Sequence, residues 1–294
     1  MIQLFQQRDF GDKINATFTY LTQQFRSLSL ALLYIAGPVA LASGIMAGVI
    51  QSNILEFSRP SDEAAGSFRL IGLTSMIFSP VFWLMVLASV LANLMVALIT
   101  YAHLKLYERT KGGPITVADV WTEVQPVLGR GLIISVLGSI ITFIGFLFFF
   151  IPGIYVAVVF SLALAVTSFE GTDFGQTWDR CFRLIREKWW STFGLLVVMG
   201  IIVGIIGLLF SMPSTIIGGL VAADLLPDLS RVWVVVANVI STVGQALLNS
   251  LVFLAVGFQY TNLVERQEGR GLLSAIDSIG TSPAQPRAND EGDF

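Results

Sequence analysis

The chain has 294 residues, of which 54% are hydrophobic and 13% charged, with a mean hydropathy of +0.76, a formal net charge of −3 and a pI near 5.2. A soluble domain carries about 25% charged residues, so this composition excludes one, and the acidic balance leaves no electrostatic footprint for nucleic acid. One cysteine, Cys181, excludes an internal disulfide, and one histidine, His103, is too few for the usual converging metal ligands.

The apolar runs are continuous rather than alternating, which selects helices over a barrel, the two structures that satisfy their own backbone in lipid. The stretch before the first run, MIQLFQQRDFGDKINATFTYLTQQFRS, is polar and of mixed charge. It lacks the basic, apolar and small-residue regions of a cleavable signal, so the first span is expected to be retained. Within it Phe10, Ile14, Phe18, Leu21 and Phe25 recur at helical spacing on one face, with Lys13, Asn15, Gln23 and Gln24 opposite. That pattern predicts an amphipathic helix in the headgroup plane, with the five apolar residues as membrane-interface anchors. The sequon-like NAT at Asn15 falls on the cytoplasmic side and is read as chance.

The first span is expected over 28–50, where Gly37, Ala40, Gly44 and Gly48 suit close helix packing. Gln51 to Phe68 reads as the main outer loop, turning at Arg59 to Asp62 and available to a partner; 69–79 reads as interfacial or re-entrant. The second span, 80–104, carries Ser89 and Asn93, and His103 at its inner end beside Lys105, Tyr107 and Glu108 is expected to snorkel to the headgroups. KGGP at Lys111 to Pro114 is a turn.

A weaker amphipathic stripe, Val117, Val120, Trp121, Val124 and Leu128, interrupted by Gln125 and Pro126, precedes the third span at 131–150. The fourth follows at once, over 154–169. Pro152 and Gly153 leave almost no loop, so the two form a hairpin turning at the outer face, with Phe148, Phe149, Phe150 and Tyr155 as an aromatic belt. Its tip is either purely structural or a lipid-access notch.

DFGQTWDRCFRLIREKWW, from Asp173 to Trp190, repeats the opening tripeptide of Asp9 to Gly11. Superposing the aspartates aligns Phe174, Trp178, Phe182, Ile185 and Trp189 with the first five anchors, without a gap. The opposite face carries Arg180, Arg183, Glu187 and Lys188; Arg180, Arg183, Arg186 and Lys188 are the headgroup-binding candidates. The tripeptide is not a kinase signature, since no strand lysine or HRD loop accompanies it. Asp9 and Asp173 instead read as helix N-caps.

The fifth span is expected over 190–210, with a GIIVG run from Gly200 to Gly204 suited to helix contact, and 212–224 again reads as interfacial or re-entrant. The sixth, 232–264, places Asn238, Thr242, Gln245 and Asn249 in one polar stripe, which Asn93 of the second span can face. Such a stripe avoids lipid either by interhelical hydrogen bonds or by lining a polar cavity. Residues 267–294 read as a disordered cytoplasmic tail.

The expected fold is therefore an all-α integral membrane protein over residues 1–266, with six transmembrane helices in three hairpin units, each preceded by an interfacial amphipathic helix. Lys and Arg crowd the N-terminal segment, the second-to-third and fourth-to-fifth connections and the tail, whereas only Arg59, Arg69 and Arg231 fall in the opposite loops. The positive-inside rule then predicts both termini in the cytoplasm.

IPGIYVAVVFSLALAVTSFEG, followed by an Arg-rich amphipathic helix and WW entering a span, resembles the membrane domain fused to some bacterial glycerophosphodiester phosphodiesterases, and related stand-alone bacterial membrane proteins. The resemblance covers about residues 115 to 210. The catalytic barrel of those enzymes, with its acidic metal ligands and paired histidines, is absent, so the resemblance implies a membrane fold and no hydrolase activity.

No Ser-His-acid set or phosphate-cradling glycine loop accompanies these features, and no cofactor is expected. The leading expectation is a non-enzymatic protein that organises lipid or a membrane complex; a role in lipid turnover as a subunit rests on the resemblance alone. The alternative is a small-solute or lipid transporter lined by the second and sixth helices. Expected partners are anionic inner-leaflet headgroups, other integral membrane proteins or a second copy of the chain, and no nucleic acid.

Overall fold

The structure, a computed structural model, describes residues 2–58, 78–148, 150–223, 225, 231–271 and 273. Among these the regular elements are helices: α1 (Phe10–Ala31), α2 (Gly37–Ser58), α3 (Pro80–Arg109), α4 (Val117–Phe148), α5 (Phe150–Phe160), α6 (Ala163–Glu170), α7 (Phe174–Ile185), α8 (Trp189–Ala222) and α9 (Arg231–Glu268). Six helical stretches are long and apolar enough to cross a membrane. The chain is an all-α, multi-pass membrane protein.

Local chemistry explains most of the helix ends. The Ser79 hydroxyl accepts from the Phe82 N–H at 3.2 Å, and Pro80 takes the first helical position, where its missing N–H costs nothing. Thr116 and Asp119 form a capping box: the Asp119 N–H donates to Thr116 Oγ1 at 3.3 Å while the Thr116 N–H donates to Asp119 Oδ2 at 3.0 Å. Asp9 and Asp173 occupy extended N-cap positions as expected, but neither side chain makes a cap hydrogen bond. Gly171 ends α6 at φ 68°, a conformation open to glycine because it has no Cβ.

The amphipathic segments depart from the expected plan. Only α7 is a separate helix, divided from α8 by a turn in which the Lys188 N–H donates to the Ile185 carbonyl at 2.9 Å. α1 runs into α2 through a π-helical turn at Leu32–Ala36. Pro38 explains that turn, because it lacks an N–H and its ring crowds the carbonyl four residues back. The second unit's amphipathic segment is simply the first part of α4, which carries Pro126 without breaking.

Other boundaries move too. Gln51, expected in the outer loop, lies in α2, and 212–222 is not re-entrant but the end of α8, continuous through Pro213. α5 starts at Phe150, so Pro152 sits in its first turn and the hairpin reverses slightly earlier than expected. The fourth span is broken at Ser161–Leu162, between α5 and α6. Residues 59–77, Phe149 and the tail beyond 273 lie outside the described residues. The tail's beginning is ordered, since Gln267 Nε2 donates to the Arg183 carbonyl at 3.0 Å and the Gly271 N–H to Glu265 Oε2 at 2.6 Å.

The core sits at one end. There α3 from Leu94 to Leu104 and α9 from Ser250 to Glu265 are buried nearly all round, wrapped by α1, α4, α6 and α7. Tyr20, Tyr101, Phe258 and Tyr260 are the largest side chains enclosed. Toward the other end the outward residues are apolar and exposed, among them Trp83, Phe143, Leu147, Ile205 and Trp233. That exposure is what lipid-facing helices require. Between helices, small residues let backbones approach: a Cβ at Gly48 would lie 2.6 Å from Val235 Cα, and one at Gly145 3.1 Å from Gly153 Cα. Gly200 and Gly204, expected to serve the same purpose, meet nothing within 4 Å.

Candidate functional site

The three amphipathic segments share a buried register that their sequences disguise. Counting from Asp9, Thr116 and Asp173, the residues four, eight and eleven places on are buried in each: Lys13, Thr17, Tyr20; Val120, Val124, Val127; Thr177, Cys181, Leu184. The most deeply buried row is thus not the apolar stripe read from the sequence but the row beside it, with the stripe partly covered as well. Phe10 and Phe25 are exposed, while Ile14, Phe18 and Leu21 half-bury against Leu195, Met199 and Val203 of α8 and Leu251 and Ala255 of α9.

In α7 the expected anchors turn onto the protein. Phe174 stacks on Phe160 with centroids 6.3 Å apart, Trp178 meets Phe160 at 5.0 Å, Phe182 lies 6.2 Å from Tyr155, and Trp189 stacks on Tyr155 at 5.7 Å. Ile185 is 0% exposed and belongs to the core. The ladder clamps α7 to α5, because each ring edge or face has a partner within aromatic contact distance.

The headgroup candidates separate. Arg180 is enclosed by carboxylates: its Nε donates to Glu170 at 3.0 and 3.1 Å, and its Nη2 pairs with Glu170 and Glu268. Tyr260 donates to the same Glu170 carboxylate at 2.8 Å. Burial opposes the Arg180 charge, but the hydrogen bonds it donates to Glu170 and Glu268 outweigh that and hold the guanidinium above its usual range. Arg180 is a strut joining α6, α7 and α9, not a headgroup ligand. Arg183 and Arg186 are exposed, without side-chain partners among the described residues, and Lys188 is half-buried near Lys13.

His103 does not snorkel. It is 0% exposed, with Tyr20 O–H donating to Nδ1 at 2.7 Å and Nε2–H donating to Ser27 Oγ at 3.1 Å. The Ser27 hydroxyl spends its own proton on the Ile115 carbonyl at 2.8 Å, which assigns the ring proton to Nε2. The histidine ties α1 to α3 and to the α3–α4 connection.

The polar stripe comes together across three helices. Asn249 Nδ2 donates to Asn93 Oδ1 at 3.0 Å, Gln245 Nε2 to Asn249 Oδ1 at 3.1 Å, and Asn238 Nδ2 to Gln51 Oε1 at 2.6 Å. Thr242 packs against Gly44. Around this chain of amides lies a hollow of about 240 Å³ between α2, α3 and α9. That is room for roughly eight waters at about 30 Å³ each.

On the far side of Asn93 and Ser89 a larger groove of about 780 Å³ opens between α3, α4, α5 and α6. Its walls are apolar, including Val86, Ile134, Phe143, Phe160 and Leu164, and none of its lining residues is ionisable. Ser135, Ser139 and Thr142, at helical spacing on α4, set a row of hydroxyls along it, and Ser161 adds another from the break in the fourth span. Sequence reasoning missed this face, although the four- and three-residue spacing of those hydroxyls is legible within an otherwise apolar run. The groove's volume lies within the range of about 300–1,000 Å³ typical of ligand pockets.

Among the described residues no group of three or more His, Cys, Asp or Glu stands where it can hold a metal ion. Residues 91–263, more than half the chain and running from within α3 to near the end of α9, match a domain of unknown function, DUF7847. No curated protein and no solved structure matches the chain.

Proposed function

We propose, for a chain that belongs to the DUF7847 family of domains of unknown function, a non-enzymatic role in holding and organising lipid within a bacterial cytoplasmic membrane. The observation that carries this reading is the 780 Å³ groove between α3, α4, α5 and α6. An apolar groove opening between membrane-spanning helices is solvated by acyl chains, and a hydroxyl row along it suits the ester region of a lipid better than an aqueous solute. The absence of ionisable residues from the lining supports binding over acid-base chemistry.

Orientation supports the same setting. The N-terminal segment, the α3–α4 connection, the α6–α7–α8 connections and the end of α9 meet at one end of the bundle, through contacts such as Arg8 N–H to Asn262 Oδ1 at 2.8 Å and Gln267 to Arg183. These are the cation-rich segments, and the positive-inside rule places them in the cytoplasm. The resemblance to phosphodiesterase membrane domains over residues 115 to 210 belongs to this proposal only as a lipid-linked setting.

The test is lipid retention. Wild-type protein extracted in native nanodiscs and then delipidated in mild detergent is expected to keep a bound diacyl lipid by native mass spectrometry, and Ser139→Trp, which fills the groove, to lose it with melting unchanged. Equal retention by both would overturn the reading.

A second reading is favoured by the 240 Å³ polar hollow beside Asn93, Gln245 and Asn249: passage of a small polar solute. Its amides already bond to one another, which favours packing over conduction. Solute flux in proteoliposomes that is abolished by Asn249→Leu in folded protein would establish the transport reading instead.

A further inference from the structure

Lys13 is buried where its two counterparts are neutral. The corresponding positions in the other units hold Val120 and Thr177, as burial demands, yet Lys13 is only 3% exposed. Its ammonium donates to Ser191 Oγ at 3.3 Å and has no ion-pair partner among the described residues. Two further cations, Arg266 and Lys188, stand close enough to repel it, and the single carboxylate that acts on it favourably is the exposed Asp9.

These groups come from three elements. Lys13 belongs to α1, Arg266 to the last turn of α9, and Lys188 is the N-cap of the 34-residue α8, where its side chain makes no cap hydrogen bond. Ser191 lies in the first turn of α8, whose free backbone N–H groups carry the positive end of the helix dipole. The enclosed Lys13 ammonium thus lacks a carboxylate partner among the described residues and has two further cations beside it.

We propose that Lys13, Lys188 and Arg266, gathered over the first turn of α8, bind a phosphate group. Lysine ammoniums serve as point charges for phosphate, the arginine offers paired donors, and a helix N-terminus with a hydroxyl in its first turn completes an oxyanion cradle. The neighbouring exposed aromatics, Trp190 at 77% and Phe10 at 39%, set the cradle at headgroup depth. The phosphate is therefore that of an anionic phospholipid, with a free phosphate as the other source of the same chemistry. The site shares no residue with the groove of the proposed lipid-holding function and does not depend on it.

The experiment compares full-length wild type, Lys13→Met, Arg266→Gln and the control Lys111→Gln, at an exposed turn residue, in nanodiscs of phosphatidylcholine containing a minority of phosphatidylglycerol. Phosphatidylglycerol retained through partial delipidation is measured by mass spectrometry, and the shift in melting temperature on adding inorganic phosphate is measured in neutral-lipid discs. Wild type and Lys111→Gln should enrich phosphatidylglycerol, with about a fivefold loss for each site substitution, the effect of about one basic residue at an anionic surface. A phosphate-induced shift present in wild type and absent from both site variants, with lipid selection unchanged, would keep the site and assign it a free phosphate. If both site variants match wild type in lipid enrichment and in phosphate response, the proposal fails; Arg266 is exposed, so Arg266→Gln keeps the comparison open should Lys13→Met misfold.

Discussion

Asn249 on α9 reaches Asn93 on α3 across 156 positions of chain, its Nδ2 donating to the Asn93 oxygen at 3.0 Å, and it accepts in turn from Gln245 at 3.1 Å. The Asn93 amide nitrogen is also used, donating to the Ser89 carbonyl at 3.0 Å. The chain of amides therefore joins two central helices while separating a small polar hollow from a large apolar groove.

Replacing Asn249 by leucine should weaken the helix pair only slightly. Interhelical hydrogen bonds in membranes average about 0.6 kcal/mol, because the separated helices find other partners. A double-mutant cycle with Asn93→Leu, read by reversible unfolding in detergent, should return a coupling near that size. A coupling of zero would mean that the two amides do not meet.

Gly48 and Gly204 should behave oppositely. A Cβ at Gly48 would lie 2.6 Å from the Val235 backbone, whereas one at Gly204 meets nothing within 4 Å. Gly48→Ala should destabilise by about 1–3 kcal/mol through forced separation of α2 from α9. Gly204→Ala should be neutral or stabilise by up to about 1 kcal/mol, as alanine does in a helix. Thermal unfolding of the two variants side by side makes the comparison.

Arg180→Gln removes the cation between Glu170 and Glu268, whose side chains are 15% and 30% exposed. The cost should be about 2 kcal/mol, between the values for surface and buried pairs. Proteolysis at the α7–α8 turn should accelerate in the variant, because α7 loses its tie to α6 and α9. Unchanged protease resistance would show that the aromatic ladder holds α7 unaided.

Cys181 offers a reporter. Burial pushes its thiol up to about 12, with the Glu170 charge adding and Arg180 opposing. The thiolate is the reactive form, so at neutral pH a maleimide should label the folded protein hardly at all and label it fully in denaturant. Rapid labelling of native protein would place α7 away from the bundle.

The spans and the stripe were legible because each is a property of one segment. Length and hydropathy predicted six crossings, and the four- and three-residue spacing of Asn238, Thr242, Gln245 and Asn249 predicted one polar face, with Asn93 opposite it. The anchors were read less well. The 3.6-residue period identifies that α7 has an aromatic face, but not that Tyr155 and Phe160 would cover it. Arg180 looked like a surface cation because Glu268, its partner, is 88 residues away. His103 looked like an interfacial residue because Tyr20 and Ser27 belong to another helix.

Composition and periodicity alone thus determined that this chain is helical, with six stretches long and apolar enough to cross a membrane and an apolar stripe at helical spacing ahead of the first, third and fifth. Hydropathy measures each segment against a uniform apolar solvent, and that comparison needs no neighbour. Which face of each segment turned inward, which cation found a carboxylate, and which was left enclosed without one were decided only in the assembled bundle. Those outcomes depend on the shape and charge of surfaces that the chain brings together from far apart. Lys13 and Thr177 hold the same place in their units, and only the approach of Arg266 and Lys188 to Lys13 makes one of them a candidate site.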